Sequence, residues 1–168
     1  LHYLKDTEHP NLGHITSIQR IDRNEHLWMD RFTIRNLELF GGEGTNTLLK
    51  VLDNTVSAMG ARLLKRWMIM PLNDINKINE RLRAVEFFIK ETDIRNKIIH
   101  HIKQAGDVER LVSKVPLKKV NPREVLQIAK GLQQTEAIKS ICAAAENDYL
   151  KRLGDSLNPC KFILDRII

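Results

Sequence analysis

Through residues 47–72 (TLLKVLDNTVSAMGARLLKRWMIMPL) the apolar positions recur at steps of three and four: Leu48, Leu49, Leu52, Val56, Met59, Leu63, Trp67 and Met70. That period gathers them on one side of a helix of about 3.6 residues per turn. Thr47, or Asn46 before it, offers a side-chain oxygen to the first free N–H groups. Pro71 closes the run, because it has no N–H and biases Met70 away from helix. The spacing therefore predicts one long helix of roughly 23 residues, spanning on the order of 35 Å. Leu48, Leu52, Met59, Leu63 and Trp67 are its expected core-facing positions, and Ala58 lies near its middle.

Elsewhere the pattern alternates between helices and short breaks. Residues 1–8 read as a helix entered midway, ended by Pro10, Asn11, Leu12 and Gly13. Residues 14–30 are the least helical part. Ile15, Ile18 and Ile21 are spaced by three, and residues 26–30 (HLWMD) read as a short strand after a polar turn at residues 22–25, giving a small two-stranded fragment. Residues 33–39 predict a short helix capped by Asp30. Gly41, Gly42 and Gly44 make the main flexible connection.

Asn73 or Asp74 can cap a helix bearing Ile75, Ile78, Leu82, Val85 and Phe88 or Ile89. Thr92 and Asp93 open another, with Ile94, Ile98 and Ile102, and Gly106 and Asp107 start a shorter one through Leu111 and Val115. Asn121, Pro122 and Glu124 form a capping box with proline at the first helical position, ahead of a helix to about Ala145. Asn158 and Pro159 begin a last helix. The fold class is mainly α: a multi-helix bundle with long helices and a small two-stranded β element near the N-terminus.

Composition narrows this only slightly. The chain has 168 residues, 42% apolar and 29% charged, which suits one ordinary globular domain. No run approaches the roughly 18 apolar residues of a membrane span, and no signal peptide opens the sequence. Cys142 and Cys160 lack a C-x-x-C context and suit a reducing compartment, packed as small hydrophobes. Leu1 and the Ile167-Ile168 end fall on apolar residues without caps, as expected of a piece of a larger protein. Such a piece is expected to leave apolar surface uncovered.

The net charge of +6 favours acidic partners. Basic residues concentrate at Lys103, Arg110, Lys114, Lys118, Lys119 and Arg123, against Asp107 and Glu109. Lys114, Lys118, Lys119 and Arg123 make a candidate surface for phosphates or for a neighbouring domain. Two prolines, Pro116 and Pro122, split it, and no aromatic interleaves it for base stacking, so the domain-facing reading is preferred. A stand-alone basic helical module that binds nucleic acid directly is the alternative.

Catalytic chemistry is not visible. Gly41, Gly42 and Gly44 fail the phosphate-loop test, since Thr47 stands where a third spaced glycine is needed and no Gly-Lys-Ser/Thr occurs. His100 and His101 are adjacent, hence about 100° apart on a helix, and neither belongs to an H-E-x-x-H pattern. The serines lack a nucleophile elbow. No catalytic, cofactor-binding or metal-ligating residue is assigned, and ATP hydrolysis by this chain alone is not expected.

Three ordered motifs carry a resemblance. Asp30 opens D-x-x-T-x-R-N-L-E-L, Thr47 opens T-L-L-x-V-L-D-x-T, and Met59 opens M-G-x-R-L-L-x-R-W, followed by Pro71 and Leu72. Weaker similarity continues through Arg81, Leu82, Ala84, Val85 and Glu86, and through Asp107, Glu109, Arg110 and Leu111. The sequence resembles the core (lever) domain, domain III, of the MutS family of DNA mismatch-repair proteins. Ile34 departs from the pattern, where the family often has a second basic residue beside Arg35. The resemblance implies one domain fragment over residues 1–168. Residues 1–40 carry the N-terminal helix, the β element and the first motif, residues 47–168 form the bundle, and the clamp domain is not included. It also implies a structural and signal-transmitting role between an ATPase domain and a DNA clamp. ATP and magnesium would be bound outside this chain. Mismatched double-stranded DNA, the protein's other domains and a second copy in a homodimer would be partners, in the bacterial cytoplasm at the nucleoid. A paralogue acting outside mismatch repair fits the same motifs. Asp30, Thr33, Arg35, Asn36 and Glu38 are expected to anchor the short helix to the bundle, through a carboxylate paired with a fixed guanidinium.

Overall fold

The computed structural model of the chain describes residues 25–41 and 46–168. The expected N-terminal helix, the stretch with Ile15, Ile18 and Ile21, and the glycines at 42 and 44 lie outside the described residues. Among those described, the elements are α1 Arg31–Asn36, α2 Leu48–Leu52, α3 Ala58–Ile69, α4 Ile75–Lys90, α5 Thr92–Ala105, α6 Val108–Val112, α7 Pro122–Ala144, α8 Asp148–Ser156 and α9 Lys161–Ile167.

Helix α7 is the axis of the bundle. Its start follows the sequence: Asn121 Oδ1 accepts from the Glu124 N–H at 2.9 Å, and the Glu124 carboxylate accepts from the Asn121 N–H at 3.0 Å. Pro122 costs nothing there, because the first helical N–H has no intrahelical partner anyway. Helices α5, α6, α8 and α9 pack against α7, and α4 leans on α5 and α8. Buried side chains in this body include Ala84, Ile98, Ile128, Ala129, Cys142, Ala145 and Leu150. Small residues dominate because the backbones come unusually close. A Cβ placed on Gly131 would clash with Val108 and lie 2.7 Å from the Ala105 carbonyl oxygen. One placed on Gly154 of α8 would lie 2.7 Å from the Cys142 Cβ. Helix α8 was not expected from the sequence. Asn147 caps it, accepting from the Leu150 N–H at 3.0 Å, and α9 begins at Lys161, two residues beyond Pro159.

The single long helix is not formed. Residues 47–72 are divided between α2 and α3, with an irregular link at residues 53–57. The cause is local chemistry: Asp53 Oδ1 accepts from both the N–H and the hydroxyl of Thr55, at 3.0 and 2.6 Å. Ser57 Oγ then accepts from the Gly60 N–H at 3.1 Å and starts a new helix. Short polar side chains that bond nearby backbone compete with helix, and here they win. The apolar stripe is consequently not a core seam within this chain. Leu48, Leu52, Leu63 and Trp67 are exposed and Met59 is half-buried. Trp67 is covered on one face by the Arg81 guanidinium, 3.8 Å from the ring centre. Ala58 is the first residue of α3, not its middle, so proline there is tolerated.

Two strands were expected; among the described residues there is only one antiparallel bridge, between His26 and Leu72. Leu27 N–H donates to Pro71 O at 2.9 Å and Asn73 N–H to Glu25 O at 2.9 Å. Pairing stops there because Pro71 has no N–H to give and Asp74 already caps α4, accepting from Asn76 and Lys77.

The turn from α5 into α6 rests on Gly106, at φ 68° and ψ −159°. That region is essentially restricted to glycine, and a side chain there costs on the order of 1–3 kcal/mol. Open space surrounds the position, so Gly106→Ala should lose stability through backbone strain alone, which a denaturant titration measures.

Candidate functional site

The short helix α1 is joined to α2 by local capping and main-chain bonds. Asp30 caps α1 as expected, its Oδ1 accepting from the Thr33 N–H at 2.7 Å, and that bond holds the Asp30 carboxyl below the usual carboxylate range. Thr33 is half-buried. Arg35, Asn36 and Glu38 are exposed, and among the described residues their side chains form no hydrogen bond or ion pair. The expected carboxylate–guanidinium anchor is therefore not built.

Main-chain bonds take its place. Glu38, at φ 50°, turns its carbonyl and that of buried Leu39 toward α2, where they accept from the N–H groups of Leu48 and Leu49, each at 3.2 Å. Thr47 supplies the next two acceptors, Oγ1 for Lys50 and its carbonyl for Val51. The unpaired donors of Leu48, Leu49 and Lys50 at the α2 N-terminus are thus satisfied, and the Val51 bond is the first of the helix itself. The first motif holds α2 through backbone atoms, which is why side-chain identity did not reveal it.

Farther along, a side chain of α3 bonds residues distant in the sequence. Arg62 of α3 donates through Nη1 and Nη2 to the two carboxylate oxygens of Asp107, at 2.9 and 2.6 Å. Its Nε and Nη2 also reach Glu109 Oε2, at 3.0 and 2.6 Å. Asp107 is doubly engaged, because its Oδ1 also accepts from the Arg110 N–H and caps α6. A planar fork meeting two carboxylates fixes orientation as well as distance. The Arg62 side chain is 45% exposed and that of Asp107 24%, so water screens the charges and direction matters more than stability.

Hydrogen bonds from Asp107 and then Glu109 push the Arg62 pKa up, and the Arg62 fork holds the Asp107 carboxyl below its ordinary value. Arg62 and Asp107 are both charged at neutral pH. The contribution of this pair is lost only in acid, as pH falls below the unfolded Asp value of about 3.9 and through the folded one. Sequence reading placed Arg62 in a motif and Asp107 and Glu109 on a first turn, but nothing local pairs residues so far apart.

The residues of the predicted basic patch are partly engaged in local bonds. Lys114 is committed to Glu124 at 2.5 Å. Lys118, at φ 53°, and Lys119 lie in a turn whose N–H groups bond back to Val115 and Lys114, while Arg123 is exposed on the first turn of α7. Among the described residues no group of three or more His, Cys, Asp or Glu could hold a metal, and no helix is long and apolar enough to cross a membrane. His101 Nδ1 lies 2.8 Å from Gln134 Oε1, a bond from α5 to α7.

The described residues thus form a helical bundle to which α3 is tied by the Arg62 fork. The family profile of MutS domain III matches residues 32–168, and the chain belongs to that family. It is 48% identical over 169 residues to the DNA mismatch repair protein MutS of Bacteroides fragilis, covering 99% of this chain and 20% of that protein. The MutS proteins of Cytophaga hutchinsonii and Porphyromonas gingivalis are each 41% identical over 170 residues, covering 100% of this chain and 20% and 19% of theirs. The chain thus spans about a fifth of the length of these relatives.

Proposed function

We propose that this segment is the mechanical core of a DNA mismatch-repair MutS protein, carrying movement between an ATPase domain and a DNA clamp. The names of the relatives support mismatch repair, and the match to MutS domain III supports a role as one part of a larger protein. ATP and magnesium chemistry, contact with mismatched duplex and pairing with a second copy belong in this reading to the whole protein, in the bacterial cytoplasm. The observation that carries the transmitting role is the Arg62 joint. It ties α3 to the start of α6 across 45 and 47 positions of sequence, beside the glycine-only hinge at Gly106. Packed helices move as rigid bodies, so an oriented tie between two of them passes displacement on.

The test uses the full-length protein that carries this segment. The quantity is the ratio of dissociation rates from mismatched DNA with and without ATP, since coupling between sites is a free energy. Arg62→Met should move that ratio toward one by roughly threefold or more, with nucleotide affinity unchanged, and Arg62→Lys should retain part of it. A folded Arg62→Met protein with the parental ratio would show that the joint is scaffold only.

A further inference from the structure

The fold rearranges the basic residues into a groove that the sequence did not show. Between α6 and the first half of α7 lies a cavity of about 360 Å³. Arg110 and Lys114 line it from the α6 side and Lys130 from α7, and Gln104 and Gln127 complete its polar lining. Arg110 and Lys130 make no side-chain hydrogen bond or ion pair among the described residues; Arg110 bonds Asp107 through its backbone N–H alone. The lining carries one carboxylate, Asp107, and both of its oxygens accept from Arg62. Lys114 also bonds Glu124, whose carboxylate accepts from the Asn121 N–H as well.

We propose that this groove binds a phosphate group. Cations on opposite walls need an anion with oxygens pointing both ways, and tetrahedral phosphate has them where a planar carboxylate does not. Arg110 brings a fork suited to two phosphate oxygens, Lys130 a point charge, and the two glutamines neutral donors. The phosphate belongs either to a nucleic-acid backbone or to a free phosphate compound; the chemistry at the groove is the same. The proposal stands apart from the coupling role of Arg62, and its test leaves Arg62 in place.

The 168-residue chain is titrated with inorganic pyrophosphate, followed by backbone amide shifts, and with a labelled duplex of about 20 base pairs at several salt concentrations. Arg110→Gln/Lys130→Gln is compared with Lys97→Gln/Lys151→Gln, an equal loss of charge at exposed positions off the groove. Circular dichroism confirms that both variants fold. For a backbone phosphate, the groove variant should lose roughly tenfold in duplex affinity and its salt slope should fall by about two, while the control changes less than about threefold. For a free phosphate, pyrophosphate should shift the amides of Gly106 and Lys130 in the parent and not in the groove variant, with duplex affinity untouched. Equal losses in the two variants, or no response to either ligand, would overturn the proposal.

Discussion

Gly131→Ala should destabilise the chain even though alanine is the better helix former. In an exposed helix the exchange gains about 1 kcal/mol of propensity. Here the added methyl would press on Val108 and sit 2.7 Å from the Ala105 carbonyl oxygen. A backbone oxygen cannot rotate aside, so α7 must back away from the α5–α6 corner. Overpacking of this kind costs about 1–3 kcal/mol, which outweighs the propensity gain. Gly131→Val adds a branched side chain and should lose about 3 kcal/mol or more. Guanidinium midpoints for the parent and both variants decide the matter. A more stable Gly131→Ala chain would mean that the helix crossing is loose and that close approach is not what holds this bundle.

The second large effect separates two leucines, of which the helical period marks only Leu52 as core. Leu150 of α8 is 4% exposed against α7, whereas Leu52 at the end of α2 is 50% exposed. Leu150→Ala removes buried methyl groups and leaves a void, at about 2–5 kcal/mol. Leu52→Ala should cost about 1 kcal/mol or less, because half of its surface already meets water. The expectation drawn from helical period alone puts Leu52 and Leu63 in the costly class. Denaturation of the isolated chain tells the two apart: comparable losses for Leu150→Ala and Leu52→Ala would restore residues 47–72 as a core helix.

Uncovered apolar surface runs through much of the chain. On α4 the stripe Ile75, Leu82, Val85 and Ile89 is exposed, and so are Phe32, Val51 and Phe162. Single exposed apolar residues are ordinary, but a repeat along one helix face is not. The periodicity was real at these positions; the expected side of burial was not met by any described part of this chain.

What could be read from sequence was local. Helix starts at Asp30, Asp74, Asp107 and Asn121 follow from a side-chain oxygen two or three residues ahead of the N–H it accepts from, and all four caps are present. The mainly helical class followed from the same punctuation, and family membership from three spaced motifs. The link at residues 53–57 was also written locally, in Asp53, Thr55 and Ser57, but helical period masked it: a stripe at steps of three and four survives a short break.

Tertiary structure alone decided the rest. It settled which apolar stripes are buried, since burial depends on a partner surface and not on the stripe. It let Gly131 and Gly154 set the spacing of helices, which requires knowing the atoms opposite each glycine. It brought Arg62 to Asp107 and Glu109, and Arg110 to Lys130 across one groove. Charges far apart in sequence attract equally many partners until the backbone places one pair within hydrogen-bond reach, and only the folded chain makes that choice.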